Sequence, residues 1–145
     1  MMYDILIQRM RDEVTQLGAR ELRTPEEVDE TLPKAQGTTL VVINSTCGCA
    51  AGAARPGLAM ALQSDVRPDQ IVTVFAGQDR DATARAREYF TGMPPSSPSF
   101  ALMKDGKFVE MIHRHQIEGH SPQQIAAQLR TLFDQYCRQD VKQTV

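Results

Sequence analysis

The sequence has no tryptophan and few aromatic residues, although 41% of its 145 residues are hydrophobic. Aliphatic side chains are therefore expected to form most of the core. No apolar run approaches the roughly 20 residues that a helix needs to span a bilayer, so we expect no contact with a membrane. Charged residues near the N-terminus, among them Asp4, Arg9 and Glu13, exclude the apolar core of a secretory signal. The sequence therefore predicts a cytoplasmic protein.

Basic residues are not in excess, since 16 Lys and Arg against 18 Asp and Glu give a net charge of −2. The charges are spread along the chain without a basic stripe, which disfavours binding to nucleic acid. Cysteines are also scarce, and three in the whole chain do not form a disulfide framework. In the cytoplasm, two cysteines close together are more often catalytic or metal-binding than a structural disulfide.

The chain is long enough to bury a core of its own, and no internal repeat or low-complexity tract divides it. We therefore expect one domain over residues 1–145. Within it, residues 1–35 are predicted to form an N-terminal helical extension. The polar residues 139–145 are predicted to be a frayed tail.

Local patterns predict the helices. Apolar residues at helical spacing predict an amphipathic helix over residues 3–17, namely Leu6, Met10, Val14 and Leu17. Capping boxes with proline at the first helical position begin at Thr24 and Ser121 and predict two further helix starts. Another helix is predicted over residues 50–62 with a kink at Pro56, and a fifth after Asp79 or Asp81.

Four apolar runs predict strands, at residues 39–43, 71–75, 100–103 and 107–112. The last two are joined by Lys104-Asp105-Gly106, and an Asp-Gly pair between apolar runs is a strong hairpin signal. The first two alternate with helices, which indicates parallel pairing through right-handed crossovers. The predicted fold class is α/β, with a mixed central sheet of two parallel strands and a C-terminal antiparallel hairpin, flanked by helices.

Two cysteines, Cys47 and Cys49, lie between the first of these strands and the alanine-rich helix that follows it. A helix N-terminus presents unpaired N–H groups and the positive end of the helix dipole. A thiolate is stabilised there, and the thiolate is the reactive form of cysteine. The strand-to-helix turn therefore predicts a reactive dithiol.

The order of strand, cysteine turn, proline-containing helix and later proline before a hairpin resembles the thioredoxin fold. More narrowly, the sequence resembles the bacilliredoxins, small bacterial thioredoxin-like proteins with a Cys-Gly-Cys active site. The stretches that carry this resemblance are spread over most of the chain, at residues 44–52, 74–79, 95–99, 104–106, 114–119 and 136–137.

The resemblance implies a thiol–disulfide oxidoreductase that needs no cofactor. Its partners would be protein disulfides, or mixed disulfides between protein cysteines and a low-molecular-weight thiol, bacillithiol. Disulfide isomerase activity is also credited to some members of the family. Pro98 matches the cis-proline of the thioredoxin fold, which lies against the active-site cysteines. Ser97 beside it would then offer backbone groups to an extended substrate.

The positions of the residues in the turn suggest their roles. Cys47 at the mouth of the turn is expected to be the exposed nucleophile, and Cys49 the more buried resolving thiol. Thr46 and Gly48 are expected to support the site, with Gly48 permitting the backbone geometry of a very short disulfide ring. Such a ring departs from relaxed disulfide geometry and is easier to reduce. We therefore expect a relatively oxidising couple.

Other readings of the same residues stay open. The two cysteines with one or more late histidines supply zinc ligand types, although the cysteine spacing is shorter than usual; these histidines are His113, His115 and His120. A thioredoxin-fold module that binds a partner without catalysis is a second alternative. A phosphate-binding loop is disfavoured because its Gly-Lys-Ser/Thr ending is missing. Cys137 is expected to be an incidental, partly buried thiol, with a redox role as a minority hypothesis.

Overall fold

In the computed structural model, which describes residues 2–138, five strands form one mixed sheet. They are β1 (Arg20–Glu21), β2 (Thr38–Asn44), β3 (Gln70–Phe75), β4 (Ser99–Lys104) and β5 (Lys107–Ile112). Their order across the sheet is β1-β3-β2-β4-β5. The helices are α1 (Met2–Thr15), α2 (Pro25–Thr31), α3 (Arg55–Ala61), α4 (Arg80–Glu88), α5 (Arg114–Ile117) and α6 (Pro122–Tyr136), and a π-helical segment (Ala50–Ala54) precedes α3.

The central strand β2 is buried along its whole length, as its continuous β-branched and apolar run predicts. It pairs in parallel with β3, where Val41 lies opposite Val72, and antiparallel with β4, where Val41 lies opposite Ala101. The predicted parallel pair and C-terminal hairpin are both confirmed. At the hairpin turn, Asp105 (φ 50°) and Gly106 (φ 79°) both have the positive φ of a type I′ turn.

The edge strand β1 is absent from the sequence prediction. Arg20 and Glu21 pair in parallel with Val72 and Thr73 of β3, so the N-terminal segment adds a strand to the sheet as well as helices. Two polar residues between two helices carry no alternating pattern. The chain pairs there because β2 occupies one edge of β3 and leaves the other edge available, which is evident only from the order of strands in the sheet.

Each face of the sheet is covered by its own layer of helices. On one face, α1, α3 and α6 bury a cluster that includes Val14, Leu58 and Phe133 against the sheet. On the other, α2 and α4 bury Val28 and Ala86 against it. Contact between α3 and α6 is close because Gly57 has no Cβ, and one built there would lie 2.6 Å from Cβ of Ile125.

The buried face of α1 differs from the predicted one. Ile7, Arg11 and Val14 are buried, whereas Leu6 is 43% exposed. Arg11 is buried because its guanidinium donates to Asp79 at 2.7 Å and to Glu21 at 3.2 Å. The predicted face is therefore correct at Val14, which is fully buried, and wrong at Leu6, because apolar spacing does not anticipate a buried ion pair.

Two predicted helix starts are confirmed in detail. Thr24 caps α2 by accepting from Glu27 N–H at 3.1 Å. Ser121 and Gln124 form a reciprocal capping box at the start of α6.

None of the helices between residues 2 and 138 combines the length and apolarity that crossing a bilayer takes. The predicted tail at 139–145 lies outside the described residues, and the single-domain assignment stays a prediction.

Candidate active site

The loops that carry the predicted site residues meet at one end of the sheet. Parallel β2 and β3 both end there, with Asn44 opposite Phe75. Antiparallel β4 begins there, with Ser99 opposite Ile43. The end of β5 lies beside β4, with Ile112 opposite Phe100. The cysteine turn, the Ser97-Pro98 segment and the loop after β5 are therefore neighbours.

The cysteine turn holds two free thiols whose sulfur atoms lie 2.6 Å apart. Cys49 N–H also points to Cys47 Sγ at 3.4 Å, and Ala50 N–H donates to the carbonyl of Cys47 at 3.0 Å. Both cysteines are half-buried, whereas Thr46 and Gly48 are exposed. The turn thus presents its backbone to solvent and directs N–H groups at Cys47.

These contacts set the thiol of Cys47 apart from an ordinary cysteine. Burial by itself would raise the pKa of Cys47, but the hydrogen bond from Cys49 and the N–H groups of Cys49 and Ala50 outweigh it. The positive charge of Arg114 acts in the same direction, so the pKa of Cys47 lies below its ordinary value. Cys47 is accordingly the thiol in this pair that loses its proton first.

Cys49 is affected in the opposite direction. Burial, followed by the hydrogen bond to Cys47 and the charge on the Cys47 thiolate, raises the pKa of Cys49. One thiol of the pair therefore ionises readily while the other keeps its proton, because two adjacent thiolates would repel each other.

The glycine between the cysteines is not required by the dithiol form of the turn. Gly48 has no left-handed φ, and a Cβ built there would meet open space. Any need for glycine therefore belongs to the oxidised, bridged turn, and the predicted role of Gly48 stays a prediction.

A buried arginine of α3 holds the two residues that precede the cysteine turn. Arg55, 5% exposed, donates from Nη1 to Asn44 Oδ1 and to the carbonyl of Ser45, both at 2.9 Å. Its Nε is ion-paired with Glu13 of α1. Ser45 Oγ in turn accepts from Cys47 N–H at 3.1 Å. Sequence reasoning missed this network, because the alanine-rich helix gives no local signal that Arg55 points inward.

The Ser97–Pro98 peptide bond is cis, as the resemblance to the thioredoxin fold implies. Pro98 is buried, and Ser97 beside it is half-buried. The preceding carbonyl, of Ser96, accepts from Ser99 Oγ at 2.8 Å and from Arg87 at 3.3 Å. The segment is therefore held in place beside the turn; the predicted substrate contact at Ser97 stays a prediction.

Arg114 is the second residue that sequence reasoning missed. It begins α5, its N–H points to Ser96 Oγ at 3.4 Å, and its guanidinium donates to Glu118 at 3.0 Å. Its charge lowers the pKa of Cys47. Residues 114–119 are one of the stretches that carry the family resemblance, but the resemblance assigns Arg114 no role, and the topology of the sheet is what brings it near the cysteines.

The histidines do not join the cysteines in a ligand set. His113 stacks on His115 with ring centroids 5.5 Å apart, and burial followed by the charge of His115 lowers the pKa of His113. His120 is exposed in the turn before α6. Between residues 2 and 138 there is no group of three or more His, Cys, Asp or Glu residues that could hold a metal ion.

Cys137 lies at the other end of the sheet. Its surroundings include Thr38, Asp69 and Lys104, and burial raises the pKa of Cys137. Thr38 begins β2 and the cysteine turn follows the end of β2. Seven extended residues span about 20 Å, so Cys137 is too distant to form a disulfide with either cysteine of the turn in this fold.

Comparison with known proteins agrees with this arrangement. A family model described as disulphide isomerase matches residues 2–137. A bacilliredoxin of Geobacillus kaustophilus is 58% identical over 138 residues, covering 95% of this chain and 94% of the relative. The chain belongs to the bacilliredoxin family. A bacilliredoxin of Staphylococcus aureus is likewise 58% identical, over 134 residues and 92% of each chain.

Solved structures establish the fold. Fasciola hepatica thioredoxin superposes with a TM-score of 0.56 at 19% identity, covering 81% of this chain and 98% of the thioredoxin. A thioredoxin variant from Halobacterium salinarum gives 0.58 at 17% identity, covering 84% and 93%. The fold is that of thioredoxin. Fold and bacilliredoxin relatives together support a thiol–disulfide oxidoreductase in general terms.

Proposed function

We propose that this bacilliredoxin-family protein reduces mixed disulfides between protein cysteines and a low-molecular-weight thiol, with Cys47 as nucleophile and Cys49 as resolving thiol. The observation that carries the proposal is that the pKa values of the two thiols are shifted in opposite directions. The pKa of Cys47 is lowered and the pKa of Cys49 is raised. Bacillithiol is the proposed small thiol, because the relatives are named bacilliredoxins.

The first step is attack by the Cys47 thiolate on the small-thiol sulfur of the mixed disulfide. A bond forms between Cys47 Sγ and that sulfur, the original S–S bond breaks, and the protein thiolate leaves and takes up a proton. The lowered pKa of Cys47 supplies the thiolate, and the half-exposed position gives the substrate access.

The second step regenerates a free small thiol. Cys49 loses its proton and attacks Cys47 Sγ, which releases the small thiolate and leaves a Cys47–Cys49 disulfide. The raised pKa of Cys49 keeps this thiol protonated while Cys47 is a thiolate. Once Cys47 is bound in the mixed disulfide, its negative charge is gone and Cys49 can ionise more easily. An external dithiol reductant or an excess of a small thiol returns the two electrons.

Mass spectrometry of two single substitutions, Cys49→Ser and Cys47→Ser, tests the proposal. After mixing with a protein–bacillithiol mixed disulfide, Cys49→Ser is expected to accumulate a one-thiol adduct at position 47. Cys47→Ser is expected to lose more than about 100-fold in exchange rate, because serine does not ionise at neutral pH. Exchange by Cys47→Ser at the wild-type rate would show that Cys47 is not the nucleophile.

Isomerisation of protein disulfides is a second candidate, favoured by the description of the matching family model. It requires only the Cys47 thiolate, since a mixed disulfide with Cys47 can be resolved by another cysteine of the substrate. Reactivation of a protein with scrambled disulfides should then survive Cys49→Ser and fail in Cys47→Ser. Loss of reactivation in both variants would assign the site to net reduction instead.

A further inference from the structure

Arg114 stands at the rim of the cysteine turn for a topological reason. It follows β5 by two residues, and β5 is separated from β2 only by β4. Neighbouring strands are about 4.8 Å apart, so the ends of β2 and β5 lie about 10 Å apart. An extended arginine side chain covers most of that distance. The backbone is also anchored there, because Arg114 N–H points to Ser96 Oγ at 3.4 Å.

The guanidinium of Arg114 has N–H donors beyond the one that Glu118 accepts. Its side chain is 45% exposed, and within residues 2–138 its side-chain partner is Glu118, which accepts from one nitrogen at 3.0 Å. Glu118 is itself 61% exposed, so this ion pair is weak and open to competition. The remaining N–H groups can face a second carboxylate, for which the planar guanidinium is the best-matched side chain.

We propose that Arg114 is a specificity-determining residue that binds a carboxylate carried by the substrate close to its disulfide. This inference deepens the proposed function and rests on it. A small thiol bearing a carboxylate would place its sulfur at Cys47 while the carboxylate displaces Glu118 from Arg114. A neutral small thiol of similar size would react at the same sulfur without this contact.

The test compares two mixed disulfides of one peptide, made with 3-mercaptopropionate or with the neutral 2-mercaptoethanol. In wild type, the carboxylate substrate is expected to exchange faster at low salt. In Arg114→Gln, its rate should fall about tenfold further than the rate of the neutral substrate, since only the former loses a charged hydrogen bond. Arg114→Lys should recover part of the difference, because it keeps the charge without the fork.

Two further variants serve as controls. Arg138→Gln breaks a surface ion pair with Asp134 whose N–O distance, 2.9 Å, is close to that of the Arg114–Glu118 pair. Arg138 lies beside Cys137, at the end of the sheet opposite the cysteine turn. It should change neither rate. Glu118→Gln removes the competing carboxylate and should raise the rate of the carboxylate substrate alone.

The outcomes separate this inference from the function on which it rests. An equal fall for both substrates in Arg114→Gln would mean that Arg114 acts on the Cys47 thiolate only, which overturns the specificity while leaving the oxidoreductase in place. Failure of wild type to exchange with either substrate would overturn the proposed function. A second pair of peptides, with acidic or neutral residues beside the disulfide, distinguishes a protein carboxylate from that of a small thiol.

Discussion

Replacing the buried Arg55 by methionine is expected to disturb the cysteine turn more than it disturbs the rest of the fold. Arg55 donates to Asn44 Oδ1 and to the Ser45 carbonyl, each at 2.9 Å, and it is 5% exposed. Methionine fills much of the same volume but donates no hydrogen bond. The substitution therefore removes the polar contacts and leaves most of the packing in place.

The free-energy cost follows from what each partner loses. Asn44 Oδ1 keeps its bond from Ser45 N–H at 2.9 Å, and Glu13, whose side chain is 55% exposed, regains water. The Ser45 carbonyl loses its bond from Arg55, and an unpaired buried acceptor costs about 1–3 kcal/mol. With the lost ion pair discounted for the exposure of Glu13, we expect the free energy of unfolding to fall by about 3 kcal/mol.

A second measurement distinguishes support of the turn from general stability. Ser45 Oγ holds Cys47 N–H at 3.1 Å, and this geometry directs Cys49 N–H at Cys47 Sγ. Arg55→Met should therefore raise the pKa of Cys47, followed by thiolate absorbance against pH, and slow disulfide exchange near neutral pH. Urea unfolding gives the stability change in the same samples.

Arg11→Met is the matched control. Arg11 is also 5% exposed and is paired with two carboxylates, Asp79 and Glu21; within residues 2–138 its side-chain hydrogen bonds go to these two residues and not to the cysteine turn. It should lose stability on the same scale and keep the wild-type pKa of Cys47, because the bond from Asn44 to α1 goes to the backbone carbonyl of Met10 and does not involve the Arg11 side chain. If both variants shift that pKa equally, or if Arg55→Met leaves it unchanged, the network stabilises the fold without positioning the thiol, and the reasoning is refuted.

Three other outcomes follow from the site. The exchange rate should reach half its maximum at a pH below the ordinary cysteine pKa of about 8.5, because the pKa of Cys47 is lowered. Cys49→Ala should move that midpoint to higher pH, because it removes the thiol that donates a hydrogen bond to Cys47. Gly48→Ala should leave the stability of the reduced protein unchanged or slightly higher, since its Cβ meets open space, and a large loss measured by urea unfolding would contradict this. Cys137→Ser should leave exchange at the wild-type rate in a stopped-flow assay, and a fall of tenfold or more would give this distant thiol a redox role.

Much of the fold could be predicted from short-range patterns. The strand around residues 39–43, the helix starts at Thr24 and Ser121 and the Asp105-Gly106 turn depend on neighbours a few residues apart, and each is found where the pattern places it. The full capping box forms only at Ser121, since at the other start the Glu27 carboxylate accepts from Arg23 N–H. Cys47 and Cys49 stand out because a strand, two cysteines and a helix follow one another directly. The cis-proline at Pro98 required the family resemblance as well.

The residues that shape the site electrostatically could not be predicted in the same way. Arg55 and Glu13 are 42 positions apart, Arg11 and Asp79 are 68 apart, and Arg114 approaches the cysteines only because β5 lies two strands from β2. Whether an arginine faces solvent or a buried carboxylate depends on the partner that folding brings to it. The sequence by itself therefore determined the dithiol and the secondary structure that presents it. The tertiary structure alone decided which charges surround that dithiol, because those charges come from elements distant along the chain.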